Sequence, residues 1–198
     1  MTTVEPDFEP ILGRYFALDG IGRIFVEEAG EGIPLLCLHT AGADSRQYRH
    51  LLNDAAVTSK YRVIAFDLPY HGRSTPADGW WLKKYRLTTQ SYLAMIRAVW
   101  LKLKLERPVV MGCSMGGAIV LKVAAEYQDE ITGIVGLESS AYAPGRYNEF
   151  LHHPAIHGGE LAASYTYGLN APSSPEQSRR ENWWYYSQGG PEIGRAHV

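Results

Sequence analysis

The residues best suited to chemistry stand in one short run. Gly112-Cys113-Ser114-Met115-Gly116-Gly117 follows the apolar stretch Val109-Val110-Met111 and leads straight into a long apolar helical pattern. A serine between a buried strand and a helix sits on a sharp turn, with its hydroxyl pushed out above the sheet. Gly112 and Gly116 leave that turn room, because a Cβ at either place would crowd the neighbouring backbone. The first turn of the helix aims free N–H groups at the same spot, where a developing oxyanion could be held. A serine so placed is suited to nucleophilic attack on an acyl carbonyl. Gly-x-Ser-x-Gly alone is a weak pattern, since a chain with 20 glycines yields near-matches by chance. The plain alternative is a strand–turn–helix link with a small residue at its tip. Two companion motifs upstream favour the chemical reading: His39-Thr40-Ala41-Gly42, and Asp67-Leu68-Pro69-Tyr70-His71-Gly72-Arg73-Ser74.

Such a serine must be carried by a sheet. Arg14-Tyr15-Phe16-Ala17-Leu18 and Arg23-Ile24-Phe25-Val26-Glu27, joined by Asp19-Gly20-Ile21-Gly22, read as a hairpin. Pro34-Leu35-Leu36-Cys37-Leu38 and Arg62-Val63-Ile64-Ala65-Phe66 read as strands buried on both faces, followed by His39 and Asp67. Residues 108–111 form the strand before the serine, and 131–137 another, followed by Glu138. The spacing predicts helices over 45–57, over 87–105 with Thr88 or Thr89 as N-cap, and over Met115–Tyr127. The last is apolar nearly all round and is expected to be buried. Strands alternating with helices make an α/β domain, a mostly parallel sheet flanked by helices. Ligands of such sheets bind beyond the carboxyl ends of the strands, so His39, Asp67, Ser114 and Glu138 should converge on one rim. After Ala141 the texture changes. The stretch 142–191 is rich in Gly, Pro, Ser and aromatics, holds weak helical pieces such as Glu176–Tyr186 and no clear strand, and reads as a helical cap over that rim. The expected division is a core over 1–140 and a cap over 141–191.

The totals narrow the function classes. The chain has 198 residues, 45% hydrophobic and 20% charged, which fits one soluble globular domain. A net charge of −2 offers no basic field for nucleic acid. No apolar stretch is long enough to span a bilayer. The polar, acidic start Met1-Thr2-Thr3-Val4-Glu5-Pro6-Asp7 lacks the features of a signal peptide. Cys37 and Cys113 lie in apolar strand-like runs and read as buried free thiols in a reducing compartment, so the expected location is cytoplasmic. No metal or cofactor is expected. The glycines after Met111 lack the Gly-x-Gly-x-x-Gly spacing, with no suitable acidic residue about 20 positions on, which argues against a dinucleotide binder. The expected partner is a small-molecule substrate, and no motif addresses the oligomeric state.

In order and spacing, the three motifs resemble the α/β-hydrolase superfamily in its small, cap-bearing branch, over roughly residues 14 to 140. The resemblance implies a serine hydrolase in which Ser114 is the nucleophile. The backbone N–H of Met115 would be one oxyanion donor, and that of Ala41, in the loop after His39, the second. The family usually has His-Gly where this chain has His39-Thr40. The resemblance gives His39 a bracing role in that loop, makes Asp67 a loop anchor and leaves His71 structural. Haloalkane dehalogenases and epoxide hydrolases of the superfamily carry an aspartate at the elbow, so Ser114 argues against both reactions. Cleavage of an ester, lactone, thioester or a diketone C–C bond, and acyl transfer, remain open. A non-catalytic member that binds a small molecule under the cap is the alternative.

A serine nucleophile needs a base, usually a histidine oriented by a carboxylate, and in this superfamily the chain order is Ser, acid, His. Glu138 is a candidate acid from its place after a strand; the plain alternative is a polar rim residue. The histidines after Ser114 are His152, His153, His157 and His197. The first three fall in the cap pattern with no strand before them. His197 belongs to a tail, 192–198, that can be reverse-translated into a string matching a widely used short-read sequencing adapter. That tail is expected to be non-native, and the last strands, the catalytic acid and the catalytic histidine are expected to lie in sequence beyond residue 191.

Overall fold

A computed structural model describes residues 9–142, 149–153 and 155–190; the 192–198 tail lies outside them. The chain opens with the antiparallel hairpin β1 (Leu12–Leu18) and β2 (Gly22–Ala29), then enters β3 (Ile33–Leu38), β4 (Tyr61–Phe66), the two-residue β5 (Thr75–Pro76), β6 (Val109–Cys113) and β7 (Gly133–Leu137). The strand order is β1-β2-β4-β3-β6-β7, with β5 paired to β2. β4, β3, β6 and β7 run parallel. Between the strands lie α1 (Arg49–Leu52), α2 (Ala55–Thr58), α3 (Thr89–Lys102) and α4 (Met115–Tyr127); after β7 come α5 (Glu149–His152), α6 (Gly158–Leu169) and α7 (Glu176–Tyr186).

The all-apolar runs are explained by burial on both faces. Leu36 and Leu38 of β3 face a core shared with Ile96 and Val99 of α3 and Val120 of α4. Their alternate neighbours Leu35 and Cys37 face a second core with Tyr48 and Leu52. Period-two alternation thus places hydrophobic side chains on both sides of the sheet. Thr88 caps α3 as expected, through a reciprocal capping box with Ser91.

Three expectations need correction. The stretch 45–57 is not one helix but a 3-10 turn, Ser45–Tyr48, followed by α1 and α2. Asp44 and Asp54 each accept a backbone N–H two residues on, and Asp54 starts a new helix in the middle of the apolar pattern. α4 buries one face through Ile119, Val120 and Val123, while Leu121 is exposed on the other. Cys37 is buried as expected, but Cys113 is only half-buried, because it stands at the strand end where the sheet opens to the rim.

β7 is an edge. Val135 and Leu137 are 39% and 42% exposed, and among the described residues no strand follows β7. The described residues after β7 form helices that lie against the rim loops. Gly190 donates its N–H to the Tyr70 carbonyl at 2.7 Å, and Gly72 donates to the Gln188 carbonyl at 3.1 Å.

Candidate active site

Ser114 occupies the single residue between β6 and α4, with φ 52° and ψ −112°. A non-glycine residue at positive φ is strained and persists only where its surroundings over-determine it. Here they do. Its N–H donates to the Leu137 carbonyl at 2.9 Å, and its carbonyl accepts the Ala118 N–H at 2.8 Å. The flanking glycines are required by backbone contact. A Cβ on Gly112 would lie 2.2 Å from the Gly116 carbonyl, and one on Gly116 would lie 2.2 Å from the Leu38 carbonyl. A third small residue, Gly117, makes way for the Ser139 hydroxyl and the Leu137 carbonyl. The close approach of Gly116 to Leu38 also sets the start of α4 against the end of β3, where the His39–Gly42 loop begins. Neither the Met115 nor the Ala41 N–H has a hydrogen-bond acceptor among the described residues.

His39 is buried, and both ring nitrogens are used. The Leu68 N–H donates to Nε2 at 3.0 Å, so Nδ1 carries the proton and donates to the Thr40 carbonyl at 2.8 Å. Burial holds its pKa below the ordinary histidine value, against the raising effects of the Thr40 carbonyl and of Asp67 and Asp44. A neutral ring with both nitrogens bonded to backbone ties the β3 loop to the β4 loop and has no free lone pair for a serine proton. His71 lies against it, ring centroids 4.8 Å apart, and binds the Pro69 carbonyl through Nδ1 at 2.9 Å.

Asp67 is fully buried and accepts the Ser45 and Arg73 N–H groups at 2.7 Å each, with the Arg73 guanidinium at 3.7 Å. Burial and the neighbouring Asp44 raise its pKa, opposed by the hydrogen bonds from Arg73 and Ser45. Its carboxylate is spent on the loops it joins.

Glu138 follows β7 at φ 48° with its side chain exposed. It stands next to Leu137, whose carbonyl holds the Ser114 N–H; burial raises the pKa of the Cys113 thiol, and the Glu138 charge adds to that rise. Among the described residues no hydrogen bond or ion pair reaches its carboxylate, and no histidine ring bonds the Ser114 hydroxyl. His157 caps α6 by accepting the Glu160 N–H, and His153 accepts the Ala155 N–H. The structure therefore gathers Ser114, Ala41, Met115, His39, Asp67 and Glu138 at the strand C-termini and leaves His153 and His157 among the helices after β7.

Sequence reasoning missed how those helices meet the site. A Cβ on Gly42, at φ +87°, would lie 2.8 Å from the Tyr186 ring and 3.6 Å from Ala162, so α6 and α7 rest on the loop beside Ala41. The Arg46 guanidinium, tied to Asp44, lies 5.0 Å and 5.2 Å from the Trp184 and Tyr185 rings. The crowding of aromatics at 183–186 was the available signal; its target on the loop was not.

A mostly parallel sheet with helices on both sides and a strained serine at a strand–helix turn defines a hydrolase-type α/β architecture. A model of the alpha/beta hydrolase fold family matches residues 33–164, and the chain belongs to that family. It is 31% identical over 123 residues to a putative non-heme haloperoxidase of Mycobacterium phage D29, covering 60% of this chain and 40% of that protein. It is 30% identical over 132 residues to a pimeloyl-[acyl-carrier protein] methyl ester esterase of Shewanella woodyi, covering 64% and 43%. The crystal structure of the N-acyl homoserine lactonase AidH with N-butanoyl homoserine superposes with a TM-score of 0.70 at 25% identity, covering 92% of this chain and 67% of that one. The chain spans 25% to 47% of the length of the curated relatives it matches. No helix among the described residues is long and apolar enough to cross a membrane.

Proposed function

We propose that Ser114 is the nucleophile of a serine hydrolase that opens an ester, lactone, thioester or diketone C–C bond of a small substrate. The observation that carries this reading is the backbone of Ser114, held at φ 52° by neighbours that tolerate only glycine. The hydroxyl attacks the carbonyl carbon, and the carbonyl oxygen gains negative charge. The N–H groups of Met115 and Ala41 are assigned to that oxygen; donors so placed are each worth about 3 kcal/mol in the barrier. His39 and Asp67 keep the Ala41 loop in place without taking part in proton transfer. Glu138, beside the elbow, is the described carboxylate placed to act as the acid that orients the base; the alternative is an acid outside the described residues, with Glu138 a polar rim residue. The base is assigned to a histidine outside the described residues, in keeping with relatives more than twice as long as the stretch they share. Residues 1–140 would then be the catalytic core and 141–191 the cap that shapes the substrate pocket. A serine at the elbow and relatives named as an ester esterase and a lactonase support acyl chemistry.

One observation favours a second reading, a non-catalytic binder of small molecules: no imidazole meets the Ser114 hydroxyl among the described residues. A fluorophosphonate separates the two. In a chain extended past Pro191, the enzyme reading expects covalent labelling that Ser114→Ala abolishes; the binder reading expects none.

A further inference from the structure

Between β5 and α3 the chain runs Gly79-Trp80-Trp81-Leu82-Lys83-Lys84-Tyr85-Arg86. Gly79, at φ 77°, starts a 3-10 turn over Trp80–Leu82. The Leu82 N–H donates to the Gly79 carbonyl and the Lys83 N–H to the Trp80 carbonyl, each at 3.0 Å. Both flanks of the run are pinned to one side chain. The Tyr70 ring, in the loop after β4, meets Trp80 edge-on at 5.5 Å between centroids and Tyr85 at 4.1 Å. The residues between them are left outside. Trp81 is 66% exposed and Leu82 81%, the highest value of any large hydrophobic residue among those described. Lys83, Lys84 and Arg86 are exposed, and among the described residues none of the three enters an ion pair. Asp78 is the only carboxylate in the sequence between Asp67 and Glu106. The net charge of −2 over the whole chain therefore hides a local basic excess.

We propose that this tip docks on an anionic lipid surface, with Trp81 and Leu82 entering the headgroup boundary and Lys83, Lys84 and Arg86 meeting the negative headgroups. Charge complementarity selects the occupant: unpaired cations beside two apolar side chains match a surface that is negative above and apolar beneath. Tryptophan suits that boundary, since its ring is apolar and its N–H can stay wet. Neither half suffices alone. A small apolar tip binds weakly and reversibly, and a basic cluster is screened within about 8 Å at physiological salt. Together they supply the two signals that lasting peripheral binding needs. A turn pinned on both flanks presents the tip at little cost in ordering. Tyr70 also ties the tip to the rim, because its carbonyl accepts the Gly190 N–H at 2.7 Å at the end of the helices after β7. Docking through the tip holds the rim near the lipid. The inference stands apart from the reading of Ser114; joined to it, the substrate class is an amphiphilic ester dissolved in a bilayer.

The test is sedimentation of the chain, extended past Pro191, with vesicles of phosphatidylcholine alone or mixed with phosphatidylserine at about three to one. Binding to the mixed vesicles is expected, about tenfold or more weaker on phosphatidylcholine alone and falling with added salt. Lys83→Gln with Lys84→Gln should weaken it about 25-fold, roughly fivefold per charge. Trp81→Ala with Leu82→Ser should weaken it about tenfold or more. All four side chains are exposed, so the melting temperature should hold in both variants. Lys102→Gln with Lys122→Gln removes the same charge from exposed sites on α3 and α4, and should change binding by less than about twofold. If the unaltered chain ignores mixed vesicles, or the control pair loses as much as the tip pair, the docking surface is overturned. If the chain ignores vesicles but self-associates in size-exclusion chromatography, and Trp81→Ala with Leu82→Ser releases monomer, the tip is a protein contact and the lipid reading falls. Fluorophosphonate labelling of the same chain without vesicles reports on Ser114 separately.

Discussion

Gly116→Ala tests the elbow through its steric cause. A Cβ at this position would lie 2.2 Å from the Leu38 carbonyl oxygen and 2.9 Å from its carbon, both backbone atoms of β3 in the middle of the sheet. Ordinary contact begins near 3.4 Å, so α4 and β3 would have to part by about an ångström. Leu38 is almost fully buried, and its carbonyl also accepts the Tyr48 hydroxyl, so the strand cannot yield without losing that bond. Overpacking of this kind costs about 2–3 kcal/mol. For a chain of this length that corresponds to a fall in Tm of about 4–12 °C. Gly168→Ala is the matched control. It lies exposed in α6 with nothing within 4 Å of an added Cβ, and alanine should stabilise there by up to about 1 kcal/mol through helix propensity. Differential scanning calorimetry on the two variants gives the answer. Equal Tm values for Gly116→Ala and the unaltered chain would refute the proposed close packing of β3 against the elbow.

The pH dependence of stability isolates His39. Its folded pKa is depressed by burial, so as pH falls below about 6.5 the unfolded chain takes up a proton that the folded chain refuses, and stability drops until the folded pKa is reached. Urea unfolding between pH 7 and 5 should show His39→Gln losing up to about 1.4 kcal/mol per pH unit less than the unaltered chain, and parallel slopes would rule this out. The exposed edge of β7 invites pairing between chains, and Val135→Lys should raise the monomer fraction in size-exclusion chromatography, where an unchanged profile would count against edge pairing.

Local chemistry accounts for what the sequence made legible. β3, β4 and β6 stand out because burial on both faces demands uninterrupted apolar runs, and the elbow stands out because Gly112, Ser114 and Gly116 must be close in sequence to make one turn. Thr88 was readable as a cap for the same reason. What stayed hidden depends on partners distant in the chain. The break at Asp54 opposes an apolar pattern that alone favours one helix. The exposure of Leu121 on α4 and of Val135 on β7 depends on what packs beside them. Gln47 carries no pattern at all; its meaning comes from the Thr40 N–H, which its side chain accepts once the loop after β3 folds back.

The most direct test of the central claim is mass spectrometry of a chain extended past Pro191 after treatment with a fluorophosphonate. The account expects one adduct, on the peptide containing Ser114, lost in Ser114→Ala and retained in a Ser139→Ala control. An adduct that survives Ser114→Ala, or none in a folded, extended chain, would contradict it.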